Sequence, residues 1–112
     1  MFAKEQSKLQ LKLMLIHTVF FWLKDDLDDA DRSLFFRGVE QLGAITSVED
    51  NFIGTPANTT KRPVVDDSYD CSLTVVLKGL KEHDAYQVDP IHLYFIKNYA
   101  HLWKKVQIFD AD

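Results

Sequence analysis

Cysteine is almost absent from this 112-residue chain, and the single copy, Cys71, excludes an intramolecular disulfide and any metal site built from cysteines of one chain. A reducing compartment, the cytoplasm, is the expected home. Glycine and proline are scarce, at four and three residues, which removes collagenous and low-complexity readings. Positive charge is in deficit: 13 Lys and Arg against 17 Asp and Glu leave a formal net charge of −4. A sequence-independent nucleic-acid binder needs a basic face to neutralise phosphates, and Lys61-Arg62 and Lys104-Lys105 are too small to provide one. No nucleic-acid partner is expected.

Long apolar runs are missing as well. The strongest, Leu13 to Leu23, contains His17, leads into Lys24-Asp25-Asp26 and lacks a small-residue cleavage site, so it does not read as a secretory leader. It is also well short of the roughly 20 apolar residues that a membrane-spanning helix needs, so no membrane partner is expected. The phosphate-cradling glycine loop, the GxSxG elbow and the dinucleotide fingerprint do not occur. His83, His92 and His101 follow one another at intervals of nine residues, which matches no metal-ligand spacing. Neither a metal nor another cofactor is expected.

What is present is an ordinary globular composition, 46% hydrophobic and 27% charged, in a chain long enough for one core. Residues 1–13 are polar and weakly patterned and read as an N-terminal extension; the domain proper is expected over 14–112. Met14 to Leu23 is rich in β-branched and aromatic residues and reads as a strand. Asp28 or Asp29 can cap a helix carrying Leu34, Phe35, Val39 and Leu42 at helical spacing, with Gly43 as its stop. Val48 to Thr55 alternates as a second strand, and Pro56 to Asp67 reads as an extended hairpin arm. Tyr69 to Lys78 is a third strand, with Cys71, Leu73, Val75 and Leu77 on one face. The acidic stretches Asp25 to Asp31 and Asp66 to Asp70 read as solvated turns.

A short helix fits His83 to Val88. Asp89-Pro90 then opens another, with Asp89 as N-cap and Pro90 where its missing N–H costs nothing. Ile91, Phe95, Asn98 and Leu102 follow at helical intervals, and Lys105 to Phe109 closes the chain as a fourth strand. The order βαββαβ predicts an α+β, ferredoxin-like fold: a four-stranded antiparallel sheet with both helices on one face.

Strand one is apolar on both sides, with His17, Val19, Phe21 and Leu23 facing one way and Ile16, Thr18, Phe20 and Trp22 the other. Two helices cover only one face. The second would leave Phe20 and Trp22 in a contiguous apolar patch, so a homodimer through the sheet face is expected. The competing arrangement is a monomer whose N-terminal arm folds across the sheet.

Three stretches carry a family resemblance: Met14-Leu-Ile-His-Thr-Val-Phe-Phe, Gly54 through Arg62 to Asp70, and above all Asp84-Ala-Tyr-Gln-Val-Asp-Pro-Ile-His92. Together they resemble the stress-responsive dimeric A/B barrel domain, over about residues 14 to 110. The resemblance implies two ferredoxin-like sheets packed face to face into a dimeric α/β barrel. It also suggests that His17, Cys71, Tyr86 and His92 converge on a ligand pocket between sheet and helices. In members resembling polyketide cyclases, matching positions carry a general base and a tyrosine that stabilises an enolate. Carried over, His92 is the base, Tyr86 the oxyanion donor and His17 a positioning group. Two departures stand out: Asp89 where the family often has His before the proline, and Cys71 where cyclase-like members have another histidine.

The chemistry of these residue types agrees with the roles. Histidine titrates near neutrality, and the positive end of a helix dipole favours the neutral form that a base requires. A tyrosine hydroxyl can donate to developing negative charge. Each residue also has a structural reading: His17 as a core histidine satisfied by one hydrogen bond, Tyr86 as a packing aromatic tied to backbone, His92 as a residue packed beneath the helix start, and Cys71 as an inert buried thiol. The expected function is therefore a dimeric barrel protein binding a small apolar or aromatic molecule. The alternatives are a cofactor-free, polyketide cyclase-like lyase using His92, and a monooxygenase-like dimeric barrel enzyme.

Overall fold

A computed structural model describes residues 14–112; the expected N-terminal extension over 1–13 lies outside the described residues. The chain forms β1 (Leu15–Leu23), α1 (Asp29–Gln41), β2 (Asp50–Gly54), β3 (Cys71–Leu77), α2 (Leu80–Val88), α3 (Pro90–Tyr99) and β4 (Trp103–Ala111). The strands pair antiparallel in the order β2-β3-β1-β4. This is the ferredoxin-like arrangement, in which β1 is central and takes a partner on both edges.

The alternation of β1 decides how the sheet is used. His17, Val19, Phe21 and Leu23 are buried on the helix side, whereas Ile16, Thr18, Phe20 and Trp22 are only half-buried on the other. From β3, Cys71, Leu73, Val75 and Leu77 join the buried layer. Helix α1 covers it with Phe35, Gly38 and Val39, and Leu42 in the turn that follows continues the stripe at intervals of three and four residues. Each fully buried side chain of the Leu or Phe class stabilises the fold by about 1.5–3 kcal/mol. Leu34, expected in this stripe, is 39% exposed, since it lies one position off the buried line.

The starts of α1 and α3 follow their caps. The Asp28 carboxylate accepts the Asp31 N–H at 2.8 Å, and the Asp89 carboxylate accepts the Ile91 N–H at 2.9 Å. The end of α1 differs from expectation. No glycine has positive φ, so Gly43 does not stop the helix as a left-handed cap; the chain tightens into a 3₁₀ turn over Leu42–Ala44. There a Cβ on Gly43 would stand 2.9 Å from the Asn51 side chain, so the missing side chain serves packing against β2. Gly38 does the same between helices, where a Cβ would stand 2.8 Å from the Tyr99 ring and α1 passes close to α3.

Further boundaries shift. β2 is shorter than the expected 48–55, β3 is shorter at both ends than Tyr69 to Lys78, α2 begins three residues earlier than His83, and β4 is extended at both ends beyond Lys105 to Phe109. The Asp66 to Asp70 stretch is not wholly solvated: the Asp70 carboxylate accepts the Leu23 N–H at 2.8 Å and an Arg32 N–H at 3.0 Å, tying the end of β1 to α1.

Candidate functional site

Between the sheet and α2/α3 lies a cavity of about 130 Å³. β1 contributes His17, Val19 and Phe21; α2 contributes Tyr86, α3 contributes His92 and Phe95, and β4 contributes Trp103, Val106 and Ile108. The walls are mainly apolar, and the polar groups are few and adjacent. The Tyr86 ring lies 4.9 Å from that of His92 and 5.7 Å from that of His17, centroid to centroid.

His92 stands in the first turn of α3, positioned by the Asp89 cap and Pro90. Its Nδ1 is buried and has no hydrogen-bond partner among the described residues. Burial foremost, then the neighbouring His17, lowers its pKa below the ordinary histidine value, while the Gln87 carbonyl and Asp89 act in the opposite sense. The neutral imidazole is therefore favoured. Tyr86 is 1% exposed, and burial pushes its phenol pKa well up, so the hydroxyl keeps its proton and remains a donor. No described group bonds that hydroxyl.

His17 is 2% exposed, and its Nδ1 lies 2.5 Å from Asp110 Oδ1 on β4. A carboxylate accepts only, so Nδ1 carries the proton and Nε2 is the ring's remaining nitrogen. The fold thus brings His17, Tyr86 and His92 to one cavity. Cys71 does not line it. β3 pairs Val75 with His17 and Cys71 with Phe21, so the thiol lies four residues along the strand from His17's partner, about 13 Å at the strand rise. Burial there pushes the thiol up to about 12, and it faces the Ser72 carbonyl at 3.8 Å.

A family model for the stress-responsive A/B barrel domain matches residues 15–112, nearly the whole described chain. The chain belongs to the stress-responsive A/B barrel domain family. Solved structures agree in fold. A protein of this family with a ferredoxin-like fold from Mesorhizobium loti is 21% identical, with TM-score 0.72 over 88% of this chain and 95% of that one. A dimeric ferredoxin-like protein of unknown function from Thermobifida fusca is 19% identical, with TM-score 0.70 over 89% and 92%. A hydroxynitrile lyase from Passiflora edulis is 15% identical, with TM-score 0.74 over 88% and 91%. No curated protein matches the sequence significantly.

In this A/B barrel domain the groups that sequence reasoning missed come chiefly from β4. Asp110 reaches His17 across 93 residues of chain, a contact that no local spacing signals. Trp103, Val106 and Ile108 sit on the helix side of β4, yet Val106 and Ile108 are 41% and 48% exposed because the helices do not extend over this edge strand. His83 also approaches the site, with its ring centroid 5.3 Å from that of His17. Among the described residues, no helix is long and apolar enough to cross a membrane.

Proposed function

We propose that this protein is a homodimeric, cofactor-free A/B barrel that binds a compact aromatic or apolar carbonyl compound between sheet and helices, with His92 as general base. The observation that carries the reading is His92 Nδ1: a buried nitrogen without a partner among the described residues, with its pKa lowered beside a mostly apolar cavity. A buried polar atom is ordinarily satisfied, and a bound ligand or water is what would satisfy this one. Tyr86 supplies the hydrogen bond for the enolate or alkoxide oxygen that forms as His92 removes a proton. His17 is a positioning residue, oriented by Asp110.

Cavity size narrows the compound. A cavity of about 150 Å³ holds benzene, and 130 Å³ suits one ring or its aliphatic equivalent. Pockets for larger ligands run from about 300 Å³ upward, which weighs against the extended chain of a polyketide cyclase substrate. A small aliphatic hydroxynitrile or a cyclic ketone fits better, and the hydroxynitrile lyase with this fold makes the former a natural first substrate to test.

The dimer reading rests on the opposite face. Phe20, Tyr69 and Phe109 form an aromatic cluster there, with ring centroids 4.9 and 6.2 Å from Phe20, and Phe52 is 60% exposed. Several solved structures with this fold are dimeric. A reducing, cytoplasmic setting suits the lone buried thiol.

The test is deuterium exchange. Cyclopentanone and 2-hydroxy-3-methylbutanenitrile are incubated with the protein in D₂O and followed by NMR, beside His92→Gln. Exchange at the ketone's α-carbon, or release of aldehyde, that His92→Gln abolishes while ligand-induced shifts persist supports the reading. Binding with neither reaction would remove the base, and no ligand-induced shift of cavity residues would remove the binding site. Sedimentation of wild type and Phe20→Asp tests assembly, and a wild-type monomer at micromolar concentration would overturn the dimer.

A further inference from the structure

Three side chains from three elements converge at the edge of the cavity: His17 from β1, His83 from α2 and Asp110 from β4. One ligand atom from each lies within 4.8 Å of the others. The His17 Nδ1 to Asp110 Oδ1 distance is 2.5 Å, and the His83 Nε2 to Asp110 Oδ2 distance is 3.8 Å. Nitrogen and oxygen donors around a tetrahedral zinc ion at 2.0–2.2 Å stand about 3.4 Å apart. The separations observed bracket that value, and Asp110, whose side chain is 42% exposed, has room to adjust.

Outer contacts point the same way. His83 Nδ1 lies 3.2 Å from Asp84 Oδ1, so Nδ1 donates to the Asp84 carboxylate and Nε2 is the nitrogen that faces Asp110. A carboxylate holding one nitrogen of a ligating histidine is the usual arrangement behind a metal-bound imidazole. His17 is buried, so its orientation is set by packing before any ion arrives.

We infer that His17, His83 and Asp110 form a binding site for one divalent transition-metal ion per chain, of the zinc or cobalt class. Two imidazoles and one carboxylate suit such ions, whereas magnesium and calcium favour all-oxygen sets. The ion takes the place of the proton between His17 Nδ1 and Asp110; that proton is released as Nε2 takes one up, so His17 ligates as the neutral imidazole with its proton on Nε2. His92 and Tyr86 supply no ligand; His17 and Asp110 are shared with the positioning pair proposed above, and metal titration reads the ion whether or not the protein turns over a carbonyl compound. The spacing of histidines along the chain gave no hint of it, since the ligands are 66, 27 and 93 residues apart in sequence.

The experiment titrates the full chain with cobalt chloride, reading the visible d–d absorption, and with zinc chloride by calorimetry. One ion per chain is expected, with affinity at least tenfold lower in His83→Ala and Asp110→Asn and about tenfold lower in Asp84→Asn. His83 and Asp110 lie at the rim, and circular dichroism checks that both variants fold. His101→Ala, which alters an exposed histidine elsewhere, should bind as wild type does. Failure of the wild type to bind either ion at micromolar concentration would overturn the site. So would equal affinity in wild type, His83→Ala and Asp110→Asn.

Discussion

Replacing Tyr86 by phenylalanine separates a functional hydroxyl from a structural one. The ring is fully buried and packs beside His17 and His92, so Phe fills the same space and leaves the core intact. A hydroxyl tied to backbone would contribute about 0.5–1.5 kcal/mol, lost on substitution. No described group bonds the Tyr86 hydroxyl, so there is no such bond to lose, and stability should stay within about 0.5 kcal/mol of wild type. Catalysis should respond differently. Removing one donor to a developing oxyanion typically slows a reaction by about 10²–10³, equivalent to about 2.7–4 kcal/mol.

The assay pairs urea unfolding with the exchange or cleavage reaction. With an m value of about 1.5 kcal/mol per molar urea, the expected change moves the midpoint by no more than about 0.3 M. Loss of a 1.5 kcal/mol structural bond would move it by about 1 M. A midpoint that falls by about 1 M, or a turnover that is unchanged, would refute the reasoning, because either outcome returns Tyr86 to a packing role.

Gly38→Ala gains up to about 1 kcal/mol in helix propensity but drives a methyl into the Tyr99 ring, and overpacking costs about 1–3 kcal/mol, so net destabilisation by urea unfolding is expected, with partial recovery in Gly38→Ala/Tyr99→Leu. His92 has a lowered pKa in the folded state, so the unfolded chain binds more protons just below the ordinary value of about 6.5. Stability from this group therefore rises with pH through that window and is lost as pH falls, and the melting temperature of His92→Gln relative to wild type should show the rise removed. Cys71, fully buried with its ionisation pushed up to about 12, should resist iodoacetamide in the folded protein and react once urea unfolds it, as read by mass.

Period-two alternation made β1 and β3 legible, because burial on one face is what that pattern records. Capping chemistry made the starts of α1 and α3 legible, since Asp28 and Asp89 bond the N–H groups that their positions predict. Gly43 was misread because a glycine after a helix signals either a left-handed cap or a lack of room, and only the fold shows Asn51 in the way. His17, Tyr86 and His92 were reached through the family resemblance, and their convergence depends on register between strands and on how α2 and α3 sit on the sheet. Cys71 had the correct face but the wrong level, because alternation fixes a side and says nothing of distance along the strand.

β4 explains why the remainder of the site was hidden. Its residues pair with β1 so that Val106, Ile108 and Asp110 share the face of Phe21, Val19 and His17. In sequence they sit among Lys104, Lys105 and Gln107, and read as a short closing strand with no chemistry of its own. Val106 and Ile108 line the cavity and are yet partly exposed, so its wall on this side reaches the surface of the single chain. The same edge carries Asp110 to both His17 and His83. One strand therefore walls the cavity and supplies the carboxylate that orients its buried histidine. A substitution that fills this side of the cavity, Val106→Trp, should weaken cyclopentanone binding while leaving His17 and Asp110 paired, whereas Asp110→Ala, which removes the acceptor, should release His17 and leave the cavity open.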